Sequence, residues 1–152
     1  VVDLGRTSFE PFFKLASQFG FAEEARSRGI APAVLYVMTP DGTSFEAYRR
    51  LRSRLPEAEL APVHNEIFGA AQNWRKYAPM GSGTVVVRLP LLASNVRKHV
   101  ERPPFSFADS ERAAADMDIN IELQHWLRRI YREFRELDAR IMLTDLRSSI
   151  RL

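Results

Sequence analysis

The sequence predicts an α/β fold: a mainly parallel sheet flanked by helices, with a helical C-terminal segment. Three observations predict it. Compact apolar runs alternate with amphipathic helical stretches, the pattern of βαβ units. The run Ala33-Val34-Leu35-Tyr36-Val37-Met38 is apolar without alternation, as a strand buried on both faces of a parallel sheet is. The last third of the chain carries a single apolar seam at helical spacing, Leu123, Leu127, Ile130, Phe134, Leu137 and Ile141.

The elements follow in order. Residues 1–4 form a short apolar run, expected to be a strand, with Asp3 near its end and Gly5 beyond it. Ser8 is a candidate cap for a helix over 9–16, with Pro11 in its first turn and Phe9, Phe12, Phe13 and Leu15 as its stripe. Gly20 interrupts it, and a short helix over 22–28 stops at Gly29. After the strand within 30–39, Pro40-Asp41-Gly42 makes a turn, and Thr43 or Ser44 is expected to cap a helix running to Leu55. Pro56 ends it. A second strand is expected over 59–64, leading to Asn65-Glu66, then a helix or irregular excursion over 68–77. Gly81-Ser82-Gly83 is a turn before a β-branched strand over 84–89, which Pro90 terminates. Helices follow over 94–101, 106–117 and from Asn120 onward, with Arg102-Pro103-Pro104 between the first two. The expected organisation is an α/β core over 1–102 and a helical segment over 103–152 packed on it.

With 152 residues, one main core suffices. The absence of cysteine excludes disulfides, zinc–thiolate sites, iron–sulfur clusters and a catalytic thiol. No apolar run is long enough for a membrane span. The first residues lack a basic n-region, so a cytoplasmic location is expected. The chain opens without Met on an apolar run, which predicts that it begins inside a larger architecture. The net charge of +3 permits contact with nucleic acid without requiring it.

In parallel α/β folds, ligands bind at the carboxyl ends of the strands. The residues there are Asp3-Leu4-Gly5, Thr39-Pro40-Asp41, Asn65-Glu66 and Leu89-Pro90. A strand that delivers one aspartate to its tip suits a magnesium–phosphate pair, a hard, oxygen-seeking ligand. The same Asp3 also fits a cap for the helix after it. The histidines His64, His99 and His125 fall in different elements, with no metal-ligand spacing. No Gly-x-Ser-x-Gly elbow occurs.

The order of these strand ends resembles P-loop ATPases of the ParA/MinD type, which position plasmids, division sites and related cargo. Val1-Val2-Asp3-Leu4-Gly5 resembles the tail of their second acidic nucleotide motif, with one residue fewer between acid and glycine than many relatives have. The stretch Val34-Leu35-Tyr36-Val37-Met38-Thr39-Pro40, followed by Asp41-Gly42-Thr43-Ser44, resembles their next strand–proline–helix unit. Ala61-Pro62-Val63-His64-Asn65 is similar to the strand whose terminal Asn reads adenine, and Val85-Val86-Val87-Arg88-Leu89-Pro90 to the last strand, whose proline opens the loop over the base. The resemblance spans residues 1–100.

It implies the C-terminal portion of an ATPase that acts as a nucleotide-dependent switch in plasmid or chromosome partition, conjugation or cell-division positioning. ATP and Mg²⁺ are the implied cofactors, and a homodimer the implied assembly. Asp3 and Gly5 take the catalytic positions, with Asp3 as the metal ligand; Asn65, Pro90, Leu91 and Ser94 take the base site. Asn65 carries both a donor and an acceptor for the adenine edge, and Asn is equally at home as a turn residue. No Gly-x-x-x-x-Gly-Lys-Ser/Thr loop is present, so ATPase activity is expected only with a P-loop upstream of Val1, and the chain alone is expected to be inactive. The alternative is a non-enzymatic α/β interaction module that binds a protein partner or DNA through its C-terminal helix. There the seam serves as a dimer or partner surface rather than a core face, and Arg128, Arg129, Arg132 and Arg135 contact a phosphate backbone.

Overall fold

The computed structural model describes residues 1–5, 7–69, 84–112 and 118–150; for 110–112 and 144–150 it describes the backbone only. The expected Gly81-Ser82-Gly83 turn, most of the 68–77 excursion and the end of the 106–117 helix lie outside the described residues. The element order is α1 (Phe9–Gln18), α2 (Phe21–Ser27), β1 (Ala33–Met38), α3 (Gly42–Arg54), β2 (Glu59–Asn65), a 3₁₀ turn (Glu66–Phe68), β3 (Val87–Leu89), α4 (Ser94–Val100), α5 (Phe107–Arg112) and α6 (Asp118–Ile150).

The described strands form one sheet in the order β1-β2-β3, and both pairings are parallel. The fold is thus α/β, as the alternation of elements requires: a parallel neighbour cannot be reached by a hairpin, so α3 carries the chain back between β1 and β2. The register sets Met38 beside His64, and Asn65 beside Leu89. All three strands therefore end along one rim.

Successive side chains on β2 point to opposite faces, and each face has its own helices. On one face Leu60 and Met38 join Phe13 of α1 and Phe45, Tyr48 and Leu51 of α3. Phe9 meets both Phe13 and Tyr36 edge-on, with centroids 5.0 and 5.7 Å apart. On the other face Ala61, Val63 and Val87 receive Leu137 of α6, flanked by Phe134 and Ile141. Leu123 and Leu137 are buried, and the remaining seam residues of α6 are half-buried. The seam is thus used inside the chain, against the sheet and α4. No described helix is long and apolar enough to cross a membrane.

Three local expectations are corrected. Residues 1–4 do not form a strand: Val1 and Val2 are exposed, and only Leu4 reaches the first core cluster. An extended segment becomes a strand by pairing its backbone groups, and this one has no ladder partner among the described residues. The last strand is Val87–Leu89 rather than 84–89, because its ladder with β2 begins only at Val63. The cap of α3 is Asp41, not Thr43 or Ser44. Its carboxylate accepts from the Ser44 amide at 2.8 Å and from the hydroxyls of Thr39 and Thr43. Ser44 is instead turned inward, where its Oγ accepts from the Thr39 amide at 3.1 Å and closes the end of β1 onto α3.

This cap titrates. The Thr39 hydroxyl, then the Thr43 hydroxyl and the Ser44 amide, stabilise the charged carboxylate and lower the Asp41 pKa to about 2. The folded-state value lies below the unfolded one of about 3.9. The stabilisation is therefore present above about pH 4 and is lost as the pH falls towards 2. Asp41→Ala should melt below the wild type at neutral pH, and the gap between the two should close as the pH is lowered through that window. Thermal denaturation followed by circular dichroism at a series of pH values measures this.

Candidate functional site

Parallel pairing brings three strand ends to the rim: Thr39-Pro40-Asp41 after β1, Asn65-Glu66 at the end of β2, and Pro90-Leu91 after β3. Asn65 is half-buried and in extended backbone conformation. Its Oδ1 accepts from the Ile67 amide at 3.1 Å and so caps the 3₁₀ turn. A carbonyl oxygen has a second lone pair, so the side chain keeps one acceptor site and the two Nδ2 donors for a ligand. Both expected roles of Asn65, turn residue and ligand reader, are compatible with this geometry.

Glu66 follows directly. Its Oε2 accepts from the Leu91 amide at 3.0 Å and ties the end of β2 to the loop after β3. On the other side of that loop Trp126 of α6 donates from Nε1 to the Pro90 carbonyl at 2.7 Å. Pro90 is buried, whereas the Leu91 side chain is 57% exposed. Ser94 begins α4 and is exposed, and Asn95 beside it donates to Glu122 of α6 at 3.1 Å. The rim thus sets a polar amide, Asn65, and a free apolar side chain, Leu91, on two neighbouring strand ends. His64 is buried below them, its Nε2 3.2 Å from the Gly69 carbonyl.

Asp3 and Gly5 precede α1. Asp3 is exposed, and no hydrogen bond or ion pair joins it to the rim residues among the described residues. The Gly5 carbonyl accepts from the Ser8 amide at 3.0 Å. Magnesium in nucleotide sites is held by one or two carboxylates together with the phosphates. Asp3 therefore fits as a protein ligand only beside a phosphate cradle. Among the described residues no group of three or more His, Asp or Glu side chains is arranged to hold a metal.

Two features lie away from the rim. A pocket of about 270 Å³ opens at the amino end of β2, lined by Arg52, Leu55, Glu59, Thr84 and Arg140. A shallow groove of about 550 Å³ runs along α6 past Arg128, Tyr131, Arg132, Phe134 and Arg135 to Asp138. Most arginines elsewhere on the described surface are paired, for example Arg28 with Glu24, Arg49 with Glu46 and Arg54 with Glu10, each at 2.6 Å. Arg128, Arg129, Arg132 and Arg135 are exposed and have no ion-pair partner among the described residues.

The sequence places Glu66 beside Asn65 at a strand end without assigning it a role, and it assigns Trp126 no polar contact. One signal was present: a buried indole N–H needs an acceptor, so a Trp on an apolar seam points to a polar contact at its tip. In comparisons with known proteins, no family model, no curated protein and no solved structure matches the chain. The Asn65 cap is directly testable. Asn65→Ala loses the bond to Ile67 and should cost about 1 kcal/mol in urea denaturation. Asn65→Asp keeps the acceptor and should retain most of that stability.

Proposed function

We propose that this chain is the base-binding side of a ParA/MinD-type ATPase, a nucleotide-dependent switch in partition, conjugation or division positioning. The observation that carries the reading is the rim. Asn65 and the Pro90-Leu91 loop sit on the adjacent ends of two parallel strands and are joined through Glu66. In this reading Asn65 meets the adenine edge, Leu91 lies against the ring face, and Pro90 and Ser94 bound the loop. Asp3 holds Mg²⁺ beside the phosphates, with Gly5 next to it. ATP supplies the phosphoryl group whose loss resets the switch, and homodimerisation belongs to the complete protein.

The sheet edges support it further. The outer edge of β3 is engaged by α6, since the Arg88 amide donates to Glu133 at 3.0 Å. The outer edge of β1 has no partner among the described residues, and on the face shared with α6 its Leu35 and Val37 are 44% and 56% exposed. A phosphate-binding strand completing the sheet has this edge to pair with. The chain alone lacks the backbone amides and lysine that grip phosphates. It should therefore bind Mg-ATP no more tightly than adenosine in calorimetric titration. A glycine- and lysine-rich loop encoded upstream of Val1, with tight Mg-ATP binding by that longer polypeptide, is the expected result. A longer polypeptide without the loop, or tight Mg-ATP binding by the chain alone, overturns the proposal.

A second reading has its own observation, the arginines of α6 from Arg128 to Arg135, which have no ion-pair partner among the described residues. Arg128, Arg132 and Arg135 recur at helical spacing on one side of the helix, with Tyr131 among them, and fit a phosphodiester backbone. If this face binds DNA, log K should fall with log salt at a slope of about −0.9 per phosphate contacted. Replacing Arg128, Arg132 or Arg135 by Gln should flatten the slope by about 1 each. Fluorescence anisotropy with a labelled duplex at several salt concentrations measures this.

A further inference from the structure

Two side chains remote from each other in sequence hold opposite ends of one peptide unit. Trp126 Nε1 donates to the carbonyl of Pro90 at 2.7 Å, and the amide of Leu91 donates to Glu66 Oε2 at 3.0 Å. Both backbone groups belong to the Pro90–Leu91 peptide. A peptide unit is planar and turns as a whole about the bonds on either side of it. Holding its carbonyl and its amide together removes that rotation. The Pro90 ring restricts the chain just before it. The position of the Leu91 Cα is thereby set, and the range open to its exposed side chain is narrowed to rotation about its own N–Cα and side-chain bonds.

The gripping groups are themselves supported. The Trp126 indole stacks on Phe107, with centroids 6.4 Å apart and planes 13° from parallel. Glu122, Trp126 and Glu133 lie on one flank of α6, and all three reach the segment from Arg88 to Asn95. Glu66 comes from the other side, in the turn that Asn65 caps. The loop after β3 is therefore positioned by α6 as much as by the sheet.

We infer that Glu66 and Trp126 are positioning residues for the rim. Their two-sided hold on the Pro90–Leu91 peptide places Leu91 relative to Asn65 on the neighbouring strand end, and these two side chains together take the flat base of a purine nucleoside. The inference rests on the base-side reading of the rim and adds the residues that shape it. Neither side chain needs to touch the ligand. Asn65 supplies the polar edge and Leu91 the apolar face, while Glu66 and Trp126 hold those two at a constant separation. Loss of either hold lets the peptide turn and moves Leu91 relative to Asn65.

The test uses the isotopically labelled chain, with adenosine and guanosine as probes, followed by the amide signals of Asn65 and Leu91. Hydrogen exchange at the Leu91 amide reports the hold without any ligand. Glu66→Ala and Trp126→Phe should each weaken adenosine binding by about 3- to 10-fold, the scale of one lost hydrogen bond. Glu66→Gln, which retains an acceptor for the Leu91 amide, should restore most of the affinity and the slow exchange. The double variant should lose less than the product of the single losses, because both act on one peptide. Should Trp126→Phe fail to fold, the Glu66→Ala and Glu66→Gln pair decides alone. Faster Leu91 exchange with unchanged adenosine affinity would overturn the positioning role while leaving the base site standing. A wild-type chain whose Asn65 and Leu91 signals respond to neither nucleoside overturns the base-side reading, and the inference with it.

Discussion

The parallel pairing of β2 with both of its neighbours is the constraint on which the rest of the molecule depends. Parallel strands share a direction, so their carboxyl ends gather at one rim, and each return path crosses a face of the sheet. That requirement places α3 between β1 and β2. It also makes β2 the most buried strand, with its five central residues all buried. A strand covered on both sides can present a polar group to a ligand only at its ends, and Asn65 and Glu66 stand at one of them; His64, buried just before, is spent on the Gly69 carbonyl.

The two faces of the sheet are stabilised differently. One is closed by aromatic packing, in which Phe9, Phe13, Tyr36 and Tyr48 meet edge-on or tilted between α1, β1 and α3. The other is closed by α6, whose side chains divide by direction. Its apolar seam packs on β2 and β3, and one flank carries Glu122, Trp126 and Glu133 onto β3 and the loop beyond it. The opposite flank presents arginines to solvent. Hydrophobic burial holds the helix on the sheet, and directional hydrogen bonds fix its position along it. One helix can therefore serve as core, as support for the rim and as a cationic surface, because a 3.6-residue period separates these roles onto distinct faces.

The rim and the open edge of β1 bear on the same functional reading from different directions. The rim offers an amide and an apolar side chain on adjacent strand ends. The edge offers backbone that has no partner among the described residues, beside the exposed Leu35 and Val37. Edges of this kind are normally charged, shortened or covered. The apolar side chains beside this one suit a sheet that continues, and a continued sheet is what a nucleotide site with its phosphate loop needs.

By itself the sequence determined the element types and most of their limits: the apolar runs of β1 and β2, the prolines at 56 and 90, and the seam of α6 from Leu123 to Ile141. These are local signals, carried by side chains a few residues apart. Tertiary structure decided which oxygen caps α3: Asp41, Thr43 and Ser44 each carry a side-chain oxygen able to accept from a helix-terminal amide, and the Thr39 amide at the end of β1 engages Ser44 and leaves the cap to Asp41. It also decided the state of residues 1–4, since Val1-Val2 has strand composition, yet a strand exists only where a partner ladder is present. Most of all it decided the hold on the Pro90–Leu91 peptide. Glu66 and Trp126 belong to separate periodic patterns, and no spacing relates them. They converge because β2 and β3 run in the same direction and α6 lies across them, and such an encounter is a property of the packed molecule.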